Sequence, residues 1–152
     1  MDKIYLSPHF TLGEMTSTKT GLNNVPNVEQ TNQLRLLCND ILEPLREEIS
    51  CQYGHRDVSG WPEYIPLIVT SAYRSSAVNQ AVGGEPTSQH LLGQAADIHC
   101  SIDIKDLYST ISCMVSKGQL HIGQCIWYRK SHFVHVSLPC ANHKNQFIIR
   151  NK

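Results

Sequence analysis

The sequence predicts an α+β fold with a mainly antiparallel sheet. Residues 28–49 carry apolar side chains at helical spacing, while short apolar runs gather later and the last two face each other across a tight connection.

Residues 1–26 are rich in Ser, Thr, Asn and Pro and have few apolar anchors (Ile4, Leu6, Phe10, Leu12, Met15). They read as an irregular N-terminal strap with one helical turn at 12–16. Leu34, Leu37, Cys38, Ile41, Leu42, Leu45 and Ile49 then mark a helix, with Asn27 as N-cap and Gln30 reaching back to it. Pro44 lies inside that pattern, where proline costs ~3 kcal/mol in a regular helix, so a kink or break is expected at 38–43. Residues 52–66, with two glycines and two prolines, read as a loop. A buried strand is expected at 67–72, a short helix at 75–82 stopped by Gly83 and Gly84, and a second strand at 95–100. Residues 104–115 are helical, with Ser101 or Asp103 as cap and Gly118 as stop. Residues 122–128 and 133–138 form a hairpin joined by 129–132.

The 152 residues suit one domain spanning 1–152, and a chain of this size buries roughly 70% of its unfolded surface without staples. Lys plus Arg and Asp plus Glu number 13 each, and no basic run supplies the face that counterion release requires. Nucleic acid is therefore not an expected partner. No stretch approaches the ~20 apolar residues of a membrane span, and the N-terminus lacks the apolar core of a signal peptide. Cytoplasmic synthesis and a monomer are expected. Six cysteines (Cys38, Cys51, Cys100, Cys113, Cys125, Cys140) would permit three disulfides, but without an export signal free buried thiols are the better expectation. No Cys-x-x-Cys pair is present, which argues against a cysteine zinc knuckle.

The stretch from Ser88 to Asp97 is the most informative. It sets His90 and Asp97 seven residues apart, with Gly93 between them to turn the chain and Ala95 and Ala96 allowing close approach. A carboxylate beside Ile98 in an apolar strand is costly to bury unless paired or bound to metal. The alternative is that Asp97 caps a turn and His90 lies on the surface. The segment His132-Phe133-Val134-His135-Val136 adds an imidazole within a strand. His90, Asp97 and His135 make a three-ligand set that leaves a fourth zinc position for water, whose pKa zinc lowers towards ~7. The His-Glu-x-x-His motif of thermolysin-type enzymes is absent.

Taken together, Ser71-Ala72-Tyr73-Arg74-Ser75, Asn79, Val82-Gly83-Gly84, the spaced set Ser88, His90, Gly93, Ala95 and Asp97, and Phe133-Val134-His135-Val136 resemble the zinc D-Ala-D-Ala carboxypeptidase family, peptidase family M15. The chain is especially similar to the short branch found in phages and mobile elements, over about residues 10–138, including Phe10 to Met15 and Ile41 to Arg46. The resemblance implies a fold shared with lysostaphin-type peptidases and the hedgehog signalling domain: a small antiparallel sheet, helices packed on one face, and zinc in a groove. It also implies a Zn2+ peptidase acting on peptidoglycan peptides, with His90, Asp97 and His135 as ligands and Arg74 gripping substrate. Release to the wall by a phage-type lysis route would follow from the same likeness.

An ordinary salt bridge is the alternative for Arg74, and Ser88 either braces the His90 loop or touches substrate. Many family members carry an acidic general base three residues before the last ligand; here that position is His132. Histidine can serve near neutral pH, but residues three apart in a strand face opposite ways, so a catalytic His132 requires the strand to start after it or to bulge. Otherwise it is a hairpin-edge residue facing water. Glu85 and Glu63 are weaker candidates for the base. His99 shares the strand period of Asp97, and Trp127 and Tyr128 are read as core packing, with a substrate platform as the alternative. The missing carboxylate leaves one rival open: a zinc-stabilised module that binds cell wall without cutting it.

Overall fold

The computed structural model describes residues 2–56 and 58–152. Tyr5–Ser7 (β1) and Phe10–Thr11 (β2) pair antiparallel, and Leu12–Met15 (α1) follows under a capping box between Thr11 and Glu14. The strap is thus more ordered than its composition predicts, because strands of three and two residues are too short to show alternation. Its later part is tied down by Asn24, whose Nδ2 donates to the Thr16 and Tyr73 carbonyls and whose Oδ1 accepts from the Ser75 N–H.

Val28–Leu37 (α2) begins at the expected Asn27–Gln30 capping box. The chain then makes a π-turn over Cys38–Leu42 and continues as Glu43–Tyr53 (α3), with Pro44 in the first turn of α3. The expected break is therefore a bulge rather than an interruption: the Glu43 N–H reaches back to the Cys38 carbonyl. The widened turn ahead of Pro44 accommodates a residue that has no N–H to give to the helical ladder. Leu34, Leu37, Cys38, Ile41, Leu42, Leu45 and Ile49 are all at most 1% exposed, so both helices press one continuous stripe into the core.

The remaining elements are Ile68–Ser71 (β3), Ser76–Ala81 (α4), a 3-10 turn at Gln89–Leu92, Ala95–His99 (β4), Ile104–Ser116 (α5), Gln124–Tyr128 (β5), Val134–Ser137 (β6) and Gln146–Arg150 (β7). They build a five-stranded sheet in the order β3-β4-β6-β5-β7, antiparallel except for the parallel pair β5–β7. Strand β7 was not expected from the sequence. Asn145, in the left-handed region at φ 50°, fixes its start by exchanging hydrogen bonds with both the N–H and the carbonyl of Ile122, just ahead of β5.

Strand β3 departs from the expectation of a buried strand. Among the described residues it pairs only with β4, at the sheet edge, and Ile68 is 47% exposed. Leu67 and Ala72, flanking it, are the buried members of that run. On the central strands the residues alternate in role: Ala96, Ile98, Val134, Val136 and Cys125 are fully buried in the core cluster with α2, α3 and α5. Helices therefore cover one face of the sheet, leaving Asp97 and His135 to point from the other.

All six cysteines are unpaired, but only Cys38 and Cys125 are buried. Cys51 and Cys113 lie on outward faces of α3 and α5, so the expectation of uniformly buried thiols is corrected. Burial, reinforced by the charge of Glu43, pushes the Cys38 thiol up to about 12. Thiol titration of the denatured, unreduced protein is expected to count six; a count of two or fewer would mean the fold forms disulfides in solution.

Candidate metal centre

Strands β4 and β6 are paired so that Asp97 and His135 stand directly opposite each other. Antiparallel partners at one register position project from the same face, so the sheet itself brings carboxylate and imidazole together. His90 arrives from the 3-10 turn. Ser88 caps that turn, its Oγ accepting the His90 N–H at 3.2 Å, and Gly93 closes it in the left-handed region at φ 73°. Helix α2 buttresses the turn through Gln30 Nε2 on the Leu91 carbonyl and Gln33 Oε1 on Gln94 Nε2.

The three side chains converge. Asp97 Oδ1 lies 3.3 Å from His90 Nε2 and 3.1 Å from His135 Nδ1, and one ligand atom from each residue falls within 4.8 Å of the others. Asp97 is 6% exposed and His90 3%, which removes the reading of a turn cap and a surface histidine. His90 Nδ1 is 2.6 Å from the Ala72 carbonyl, an acceptor, so Nδ1 carries the hydrogen. In the neutral ring Nε2 is then a bare lone pair aimed at Asp97 Oδ1. Two acceptors facing each other at that distance repel unless a proton or cation stands between them. A divalent ion satisfies the arrangement, and two imidazoles with one carboxylate suit zinc.

Burial alone would push the Asp97 carboxyl up, but hydrogen bonds and charge from His135 and His90 outweigh it and hold the group well below the usual carboxylate range. Burial pushes His135 below its ordinary value, against the pull of the Asp97 carboxylate. An anionic carboxylate and a neutral imidazole are the forms that bind metal.

Arg74 stands behind Asp97. Its Nη2 donates to Asp97 Oδ2 at 3.1 Å, its Nε to Ser71 Oγ at 3.0 Å and its Nη1 to Asn79 Oδ1 at 3.3 Å. His132 is exposed in the bend before β6, which begins two residues later at Val134, so strand alternation does not bind its direction. Glu85 and Glu63 are exposed, and His99 closes β4 outside the ligand group. Trp127 packs on Tyr108 of α5, as core packing requires. Tyr128 differs: it stacks on Phe133, and after burial the negative charge of Asp97 is what most raises its phenol. It shares a sheet face with Ile126, the register partner of His135, and so projects on the side of the His–Asp–His cluster, which the sequence carries only as a period of two.

A family model for peptidase M15 matches residues 8–137. The chain belongs to the peptidase M15 family. The match runs from the β1–β2 hairpin to the end of β6 and takes in every residue of the cluster; β7 lies beyond it. M15 peptidases are zinc-dependent in general, and the His90–Asp97–His135 group of this member is compatible with that requirement. No curated protein matches the chain. No helix among the described residues is long and apolar enough to cross a membrane.

Gly93 tests how the His90 turn is held. A Cβ there would lie 2.5 Å from the Gln30 carbonyl, whereas at Gly118, equally left-handed, it would meet nothing within 4 Å. Both alanine variants are expected to lose about 1–3 kcal/mol through backbone strain. In urea unfolding, Gly93→Ala should lose distinctly more than Gly118→Ala. Equal losses would mean that α2 does not brace the turn.

Proposed function

We infer that this M15 peptidase is a zinc enzyme that hydrolyses stem or cross-link peptides of peptidoglycan, of the D-Ala-D-Ala carboxypeptidase or endopeptidase type. The observation that carries the reading is the convergence of His90 Nε2, Asp97 Oδ1 and His135 Nδ1 on one point, in a chain of this family. Those three atoms would hold the metal. Zinc at such a site supplies Lewis acidity, polarising the scissile carbonyl and acidifying water towards neutral pH.

The other roles fall to the protein. His132 takes a proton from the attacking water and returns it to the leaving amine; its place ahead of β6 supports this, because no strand geometry turns it away. Arg74 has two of its five N–H donors left after Ser71, Asn79 and Asp97, and these are assigned to a substrate carboxylate or carbonyl. Ser88 contributes by fixing the turn that carries His90. Tyr128 and Phe133 form an aromatic wall beside the cluster, suited to the small apolar side chain of an alanyl residue.

The test is incubation of the zinc-loaded protein with purified peptidoglycan and identification of the new termini by mass spectrometry. Released fragments are expected, and the termini name the bond cut. Wild type that sediments with cell wall but releases nothing would establish the binding module instead.

Two variants separate the roles. His135→Ala is expected to lose both metal and activity, since water cannot replace one of three protein ligands. His132→Ala is expected to keep its zinc and lower turnover by ~10²–10⁴-fold. Unchanged turnover in His132→Ala would make that residue a bystander and send the search for the base to Glu85.

A further inference from the structure

Asn79 has no part in the roles assigned so far, yet it is only 4% exposed and uses both ends of its amide. Oδ1 accepts from Arg74 Nη1 at 3.3 Å, and Nδ2 donates to the Glu85 carbonyl at 2.9 Å. Its own backbone carbonyl accepts the Gly84 N–H at 2.9 Å. The loop after α4 thus wraps the amide so closely that a Cβ on Gly84 would run into Asn79 Oδ1 and reach 3.0 Å from Arg74 Nη1. Only glycine leaves room there.

The guanidinium beyond is held from three sides. Ser71 lies opposite Asp97 in the β3–β4 register and takes Nε; Asn79 takes Nη1; Asp97 Oδ2 takes Nη2. A planar group anchored along three directions cannot turn, so the oxygen it grips cannot turn either. The two oxygens of Asp97 are divided accordingly: Oδ2 to Arg74, Oδ1 to the two imidazoles.

We propose that Asn79 is a positioning residue for the metal centre, acting through Arg74 to fix the Asp97 carboxylate with Oδ1 alone presented to the ion. This rests on the zinc reading above. Its chemistry is that of outer groups that orient a ligand without touching the metal, whose loss weakens metal binding by about 10–100-fold. Asn79 stands two hydrogen bonds away from the Asp97 carboxylate, so the lower end applies.

The experiment measures zinc affinity by chelator competition and the visible spectrum of the cobalt-substituted protein, with Ser50→Ala as a control. Ser50 is fully buried, accepts the Ile65 N–H and lies outside the cluster, so its loss reports a purely structural penalty. Asn79→Ala is expected to bind zinc about tenfold more weakly and to shift the cobalt bands, while Ser50→Ala moves neither. Wild-type affinity and spectrum in Asn79→Ala, with only thermal stability lowered, would overturn the inference. Should Asn79→Ala not fold, Asn79→Ser, whose hydroxyl is too short to reach Arg74, carries the same two outcomes. Wild type that takes up no zinc at all overturns the metal reading itself, and is recognised before any variant is compared.

Discussion

Asp97 is a charged group in a nearly closed place, and much of this structure is arranged around that fact. An isolated carboxylate moved into a protein interior loses several kcal/mol even after relaxation, so it survives there only if its lone pairs are answered. Here a guanidinium answers one oxygen, and the other faces two imidazoles across a gap that a bound cation would fill. Each partner needs its own support: β6 delivers His135, the Ala72 carbonyl fixes the ring of His90, and Ser71 and Asn79 fix Arg74. Segments that look unrelated in the chain, from Asn24 in the strap to Leu138 after β6, meet in the few loops that hold these partners.

The division of the sheet makes such a site possible. The helical face is filled by small and branched residues such as Ala96, Ile98, Val134 and Val136, which need no polar satisfaction. The opposite face takes the polar residues of the same strands. Alternation thus lets a strand serve the core and the site at once, and one residue of register slip would send Asp97 into the apolar core. The apolar row on β4 and β6 holds the carboxylate in register.

Much of this was legible in the sequence because it depends on near neighbours. The stripe from Leu34 to Ile49, the Asn27–Gln30 box and the trouble at Pro44 are all local, and each appears where expected. The spacing of His90 and Asp97 around Gly93 was readable for the same reason. What escaped depends on distant partners. Strand β7 is created by Asn145 meeting Ile122, β3 loses its expected burial by falling at the edge, and the clasp of Arg74 by Asn79 and Ser71 exists only once β3, α4 and β4 are assembled. Whether strand alternation governs His132 belongs to this second class, since it depends on where β6 begins.

The spread of the three donors along the chain has a consequence for folding. They sit at positions 90, 97 and 135, on segments that an unfolded chain does not hold together. An ion gripped by all three would tie a loop of about 45 residues, and a covalent closure of that length would remove about 4 kcal/mol of chain entropy from the unfolded ensemble. None of the six cysteines forms such a tie. In this molecule an inorganic knot at the cluster would take the place of the sulfur one and would keep the two halves of the chain from parting.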